Sequence, residues 1–171
     1  MRQAKSLFPG KTGKDESPFQ LIIEQDIPLS DTPLSTVFYV KLNNYCFPDS
    51  QWTDLTYDVL MMWVAEIVRG QSVLTKRTLY FMDGPYRIEI TKPSNTEVSL
   101  HFLRHDIILH EGTCTCEHIL SGILAGLNTF QGIVKCESAS HPALDSVTRD
   151  MERSIAQIQG VLQRITSQDD S

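Results

Sequence analysis

The sequence lacks an obvious membrane span or secretion signal. A transmembrane helix needs about 20 consecutive apolar residues, and the longest apolar-rich run, residues 59–68, is interrupted by Glu66. The first 18 residues carry lysine and arginine but not the continuous apolar stretch of a secretory signal. The chain of 171 residues also has too few cysteines for a disulfide scaffold, namely Cys46, Cys114, Cys116 and Cys136. We therefore expect a cytoplasmic protein with reduced thiols and no membrane contact.

Motifs of the common enzyme classes are missing as well. There is no Gly-x-Ser-x-Gly sequence, and Gly10-Lys11-Thr12 lacks the preceding strand and the upstream glycine of a phosphate-binding loop. Asp54 and Asp58 lie one helical turn apart and could serve acid/base chemistry, but no histidine or nucleophile accompanies them. The sequence thus predicts a protein that is not an enzyme and needs no cofactor.

One segment, Cys114-Thr115-Cys116-Glu117-His118, contains possible metal ligands. In an extended chain the two thiols and the imidazole share one side, and sulfur and nitrogen ligands suit zinc. The spacing differs from the usual Cys-x-x-Cys pair, however, and small buried cysteines at a strand-to-helix junction are the more common outcome. We therefore predict that this segment binds no metal ion.

The remaining pattern predicts one α+β domain. Hydrophobic residues make up 41% and charged residues 21% of the chain, as is usual for globular proteins. Residues 1–18 are expected to be a flexible leader and residues 19–171 a single domain. Short apolar runs between turn residues predict an antiparallel sheet of five to six strands, at residues 19–24, 36–42, 73–82, 86–91, 98–103 and 107–110. Helical spacing of apolar residues predicts three helices, at residues 54–69, 117–134 and 143–165.

The second and third predicted helices each carry a packing signal. In the second, Gly122 and Gly126 stand four residues apart and would let another element approach closely. The third is long and amphipathic, and its apolar positions follow a heptad with Thr148 filling one place, namely Leu144, Met151, Ile155, Ile158, Leu162 and Ile165. Such a seam could pack on the second helix or on the same helix of a second copy, which would make a homodimer.

Charge is distributed unevenly along the chain. Residues 15–68 contain nine acidic residues and a single base, Lys41, and so carry a formal charge of −8. The whole chain carries −6, which leaves +2 for the remaining residues. A surface of one sign attracts a basic partner and repels nucleic acid. On a helical wheel, the face of the first helix that combines acids with methionines contains Asp54, Asp58, Met61, Met62 and Glu66. Because acids accelerate encounter and methionines adapt to a contact, we expect these five residues to bind a protein partner.

Two segments resemble a known group of proteins. They are Phe47-Pro48-Asp49-Ser50-Gln51-Trp52-Thr53-Asp54 and Leu79-Tyr80-Phe81-Met82-Asp83-Gly84-Pro85-Tyr86. Together they are similar to bacterial immunity proteins of polymorphic and contact-dependent toxin systems, over residues 39–90. The resemblance implies a protein that neutralises a cognate toxin. It implies neither a fold nor residue roles, since immunity proteins have many unrelated folds.

Two functions therefore stand side by side. The first is an immunity protein that covers a basic toxin domain with an acidic surface. The alternative is a small acidic dimeric chaperone or adaptor that self-associates through its C-terminal helix and holds a secreted client on its sheet.

Overall fold

The computed structural model describes residues 18–25, 34–69, 76–92, 94 and 96–169. In chain order the elements are β1 (Phe19–Glu24), β2 (Thr36–Leu42), β3 (Tyr45–Phe47), β4 (Thr53–Asp54), α1 (Thr56–Val68), β5 (Lys76–Tyr80), β6 (Tyr86–Thr91), β7 (Val98–Arg104), β8 (Ile107–Cys114), α2 (Cys116–Ser138), a 3-10 turn (Pro142–Leu144) and α3 (Asp145–Asp169). The protein is α+β with three helices and antiparallel strands, as predicted. The predicted leader lies outside the described residues, apart from Pro18.

The strands form two sheets instead of one. In the first sheet β1, β2 and β3 are neighbours and β4 pairs with the other end of β2, whereas the second sheet has the simple order β5-β6-β7-β8. The prediction of a single sheet of five to six strands was wrong because β3 and β4 contain three and two residues, too few to show an alternating pattern. In the described chain, α1 separates the strands of the first sheet from those of the second.

A cluster of aromatic side chains joins the two sheets to α1. The ring of Phe47, on β3, lies 5.1 Å from Phe102 on β7 and 5.4 Å from Phe81 just after β5. Trp63 of α1 meets Phe38 at 5.3 Å and Phe81 at 5.4 Å, edge to face. Edge-to-face contacts add to the free energy that apolar burial already supplies. The cluster therefore fixes α1 and the β5–β6 hairpin against the first sheet.

Helix α2 packs closely on β1, as the two glycines predicted. A Cβ atom on Gly122 would lie 2.8 Å from the carbonyl oxygen of Phe19 and 2.7 Å from its ring. One on Gly126 would lie 2.5 Å from Leu21 Cδ2. Only glycine leaves room for this approach. The helix begins at a capping box, in which the amide of His118 donates to Thr115 Oγ1 and the amide of Thr115 donates to His118 Nδ1.

The seam of α3 is buried within the same chain, between α2 and α1. Three predicted positions, Leu144, Met151 and Ile158, are buried as expected. The second row lies one residue earlier than predicted, because the buried positions are Val147, Ser154 and Val161, whereas Thr148, Ile155 and Leu162 are only half-buried. The hydroxyl of Ser154 explains the error: it donates to Met61 Sδ at 3.7 Å, so a polar residue occupies a core position. A homodimer through α3 would have to use its half-buried edge.

Replacing Gly122 by alanine should lower the free energy of unfolding by about 1–3 kcal/mol, the usual cost of overpacking, because the new methyl group meets a backbone carbonyl that cannot move aside. Gly132 is the matched control, since a Cβ there meets nothing within 4 Å. Gly132→Ala should raise stability by about 0.5–1 kcal/mol through helix propensity. Urea denaturation of both variants measures the difference. Equal effects at the two glycines would contradict the packing described for α2.

Candidate functional site

The residues predicted to bind a partner lie in and around α1, which has two solvent-facing borders. One border faces β5 and the other faces α3. The core face of the helix is formed by Thr56, Val59, Leu60, Trp63, Val64 and Ile67. Between the two borders, Asp58, Met62 and Ala65 form the outermost stripe of the helix.

The structure separates the five predicted contact residues. Asp58 and Met62 are exposed, the latter to 42%. Glu66 is half-buried on the border with β5 and pairs with Arg69 at 3.6 Å. Met61 is half-buried on the border with α3, next to Ser154. Asp54 does not belong to this surface, because it is only 1% exposed and precedes the helix.

Asp54 is a structural carboxylate. Its side chain accepts hydrogen bonds from the amide of Leu55 at 2.7 Å and from the indole nitrogen of Trp52 at 3.2 Å. It also accepts from the amides of Met82 and Asp83, at 3.1 and 3.2 Å. Four donors thus converge on one buried carboxylate, and hydrogen bonds to charged groups are among the stronger ones. The prediction that Asp54 lies on the exposed helix face was wrong. Asp54 stands one helical turn before Asp58 in the sequence, but it lies before the start of the helix.

This carboxylate fixes the turn of the β5–β6 hairpin beside the start of α1. The turn passes through Gly84 at φ +121°, where a Cβ atom would lie 3.1 Å from the ring of Trp52. Trp52 in turn meets Tyr86 edge to face, with 4.9 Å between ring centroids. The position of this turn beside α1 therefore follows from Asp54.

A cleft of about 440 Å³ separates α1 from the edge strand β5. Trp63 closes its floor, since its indole nitrogen donates to the carbonyl oxygen of Tyr80 at 2.7 Å. The walls consist of acidic, basic, apolar and aromatic side chains, namely Met62, Ala65, Glu66, Arg69, Thr78 and Tyr80. A cleft of this composition can accept a long side chain from a partner.

Large apolar side chains are exposed along this border. Tyr80 is 57% and Met82 47% exposed, and both lie on the same side of the hairpin because Phe81 between them points into the core. Tyr80 lines the same cleft as Met62, whereas Met82 lines a second depression with Leu55 and Asp83. We call Asp58, Met62, Glu66, Tyr80, Met82 and Asp83 the α1–β5 surface. The five residues predicted to bind a partner do not include its hairpin half, for which the sequence offered residues 80–86 only as the next candidate.

The other border of α1 carries a hydrogen bond between two helices. The hydroxyl of Tyr57 donates to Asp150 Oδ2 of α3 at 2.7 Å. Burial, together with this hydrogen bond, raises the pKa of Tyr57 to about 12. The neutral phenol is therefore the form that the folded protein stabilises.

The cysteine-histidine segment is used for structure. Cys114 and Cys116 are buried, and burial raises the pKa of the Cys114 thiol to about 12. His118 serves the capping box of α2. Within the described residues, no three histidine, cysteine, aspartate or glutamate side chains are grouped to hold a metal ion.

Helix α2 is, within the described part, the one helix long and apolar enough to cross a membrane by length and composition. The expectation that no stretch reaches this length was therefore wrong. The helix is amphipathic in the fold, and six of its large apolar side chains are fully buried against the rest of the protein, namely Ile119, Leu120, Ile123, Leu127, Phe130 and Val134.

No family model matches the chain, and no curated protein or solved structure matches it.

Removing the Asp54 carboxylate should cost about 3 kcal/mol of stability or more, because several buried donors lose their acceptor at once. Asp58→Ala is the matched control and should change the free energy of unfolding by about 0.5 kcal/mol or less, as exposed substitutions usually do. Urea denaturation of Asp54→Ala and Asp58→Ala measures both. Similar losses of stability in the two variants would contradict the description of Asp54 as a buried structural carboxylate.

The Tyr57–Asp150 hydrogen bond should make stability pH-dependent in alkaline solution. An unfolded tyrosine ionises near pH 10, and the folded pKa of Tyr57 is about 12. The stabilising contribution is therefore complete below pH 10 and is lost as the pH rises from 10 to 12. The difference in unfolding free energy between wild type and Tyr57→Phe should shrink over that range. A difference that stays constant from pH 9 to pH 12 would show that the phenol does not ionise as described.

Proposed function

We propose that this protein is a non-catalytic binding protein, namely an immunity protein that neutralises a bacterial toxin by covering a basic surface of that toxin. The contact surface is the α1–β5 surface. The observation that carries the proposal is the exposure of Met62 and Tyr80 around one cleft with Glu66, and of Met82 beside Asp83 in a second depression.

The chemistry of this surface suits a protein partner. Tyrosine supplies a large contact area with few rotamers, and methionine adapts its flexible side chain to the partner. Both residue types are enriched where protein partners bind. The acidic residues of the surface are Asp58, Glu66 and Asp83. Arg69, at the end of α1, is the basic residue that lines the cleft. An apolar centre with an acidic rim favours a partner with an apolar contact and basic surroundings.

The surface is also held rigidly. Asp54 fixes the hairpin and Trp63 fixes the end of β5, through hydrogen bonds of 2.7–3.2 Å. A contact surface that is already in its bound conformation loses less conformational entropy on binding. Tight inhibition of a toxin requires slow dissociation, and a rigid surface contributes to it.

A pair of baits tests the function. Wild-type protein and a Met62→Asp, Tyr80→Ala variant are used to capture partners from the native cell, with Leu109→Asp as a control on a distant exposed position. We expect wild type and control to retain a basic protein that the variant loses, and this protein should inhibit growth unless wild-type protein is co-produced. Capture of a secreted client whose production harms no cell would instead favour the chaperone or adaptor.

With the partner in hand, acids and apolar groups should affect different rate constants. Asp58→Lys should slow association about threefold to tenfold at low salt, and the effect should vanish near 1 M salt, where the Debye length is about 3 Å. Met62→Ala and Tyr80→Ala should mainly speed dissociation. Asp54 is left unchanged because it supports the fold, and the melting temperature serves as the control. Association rates of Asp58→Lys equal to wild type at low salt would move the contact elsewhere.

A further inference from the structure

The backbone of β5 turns some of its peptide groups toward the cleft beside α1. Strand β5 is an edge strand and, within the described residues, pairs only with β6. At the end of this ladder the amide of Phe81 donates to the carbonyl oxygen of Tyr86, so these two residues form a hydrogen-bonded pair. In antiparallel strands such pairs alternate with pairs whose peptide groups point away from each other. The peptide groups of Lys76, Thr78 and Tyr80 therefore point away from β6.

Two of these three residues already use their outward carbonyl group. That of Tyr80 accepts a hydrogen bond from the indole nitrogen of Trp63 at 2.7 Å, which also shows that the outward groups face α1. That of Lys76 accepts one from the guanidinium group of Arg77 at 2.8 Å. At Thr78, between them, neither the amide nor the carbonyl oxygen has a hydrogen-bond partner among the described residues. Edge strands are normally protected against pairing, and on β5 this protection is interrupted at Thr78.

This open position lies in a cleft with room for another chain. Thr78 and Tyr80 line one side of the cleft of about 440 Å³, and α1 lines the other. A residue of an extended chain that pairs antiparallel with Thr78 can bond both its amide and its carbonyl oxygen. An extended polypeptide carries one donor and one acceptor at each residue, so its backbone matches what β5 offers here.

An added strand would direct alternate side chains toward α1. Leu79 and Phe81 are buried, and the ring of Phe81 lies 5.4 Å from that of Trp63, so α1 is on the inner face of β5. Thr78 alternates with these residues and points to the outer face. A residue paired with Thr78 points to the outer face as well, and its two neighbours in the added strand point inward, to α1.

Met62 and Glu66 determine which side chains suit these two inward positions. They lie one helical turn apart, about 6 Å along the axis, which is close to the roughly 6.6 Å between alternate residues of a strand. Met62 offers an apolar contact. Glu66 pairs with Arg69 at 3.6 Å, but the side chain of Arg69 is 77% exposed, and exposed ion pairs contribute little. The Glu66 carboxylate can therefore accept a second basic group.

We propose that the toxin presents an extended segment that pairs antiparallel with β5 at Thr78, with an apolar residue before the paired residue and a basic residue after it. Helix α1 runs opposite to β5, because Asp54, before α1, binds the turn after β5. A strand antiparallel to β5 thus runs along α1 and meets Met62 before Glu66. The inference rests on the proposed function for the identity of the partner, whereas the mode of binding rests on β5 and α1.

A peptide probe tests the pairing without the toxin. The probe is a blocked pentapeptide, threonine-valine-threonine-arginine-threonine, and its control has valine and arginine exchanged. In NMR titrations the probe should shift the amide resonance of Thr78 and should bind at least about threefold more tightly than the control, because only the probe places arginine at Glu66. Equal binding of the two peptides, no saturable shift up to about 10 mM, or shifts confined to residues 107–109 of the other edge would overturn the proposal.

A pair of variants separates the backbone of Thr78 from its side chain. Thr78→Pro removes the amide, and proline is tolerated on edge strands where the amide faces outward. Thr78→Val keeps the amide and is the matched control, since both variants lose the hydroxyl group. The probe should bind Thr78→Pro at least about tenfold more weakly than Thr78→Val. Melting curves establish that both variants are folded, and equal binding by the two would contradict the pairing.

Hydrogen exchange in the complex with the basic protein that the wild-type bait retains supplies a readout without any variant. The amide of Thr78 should exchange at least about tenfold more slowly in this complex than in the free protein. If that protein binds and inhibits growth as expected but the exchange of Thr78 is unchanged, the strand pairing is wrong and the proposed function stands. If the bait retains no toxin while the peptide probe pairs at Thr78, the proposed function is wrong and the binding mode stands.

Discussion

The buried carboxylate of Asp54 connects parts of the chain that are 28 and 29 residues apart. On one side it binds the amide that leads into α1, and on the other it binds two amides of the β5–β6 turn. Burying a charged carboxylate costs free energy unless hydrogen-bond donors replace the water that it loses. The start of α1 and the hairpin are therefore held in one arrangement, and the cleft between α1 and β5 takes its shape from this constraint.

The two edges of the second sheet expose different groups. At β5 the edge is partly closed by α1, and Trp63 already satisfies the carbonyl oxygen of Tyr80. The exposed groups there are mostly side chains, which suits recognition of a specific partner. At β8 the exposed groups are the apolar side chains of Ile107, Ile108 and Leu109, beside a bulge in the strand.

Sequence patterns predicted the long elements well, since β1, β2, β6 and the three helices lie where their periodicity placed them. The close approach of α2 at Gly122 could also be foreseen, because two glycines four residues apart in a helix leave room for another element. The two-sheet arrangement could not, since it depends on β3 and β4, whose few residues carry no periodic signal. Asp54 illustrates the same limit: its spacing from Asp58 is that of an exposed helical face, and only the tertiary fold brings Met82 and Asp83 to it. The burial of Ser154 could not be predicted for a comparable reason, because its hydrogen-bond acceptor Met61 is distant in sequence.

Hydrogen exchange at the amides of Met82 and Asp83 tests most directly whether Asp54 holds the α1–β5 surface together. Both amides lie in an exposed turn, and the Asp54 carboxylate is their acceptor. In wild type they should exchange at least about 100-fold more slowly than in an unstructured peptide, and in Asp54→Ala this protection should disappear while the amide of Ile88, inside β6, stays protected. If the two turn amides exchange freely in wild type, or remain protected in Asp54→Ala, then the carboxylate does not fix the hairpin and the account of the α1–β5 surface is wrong.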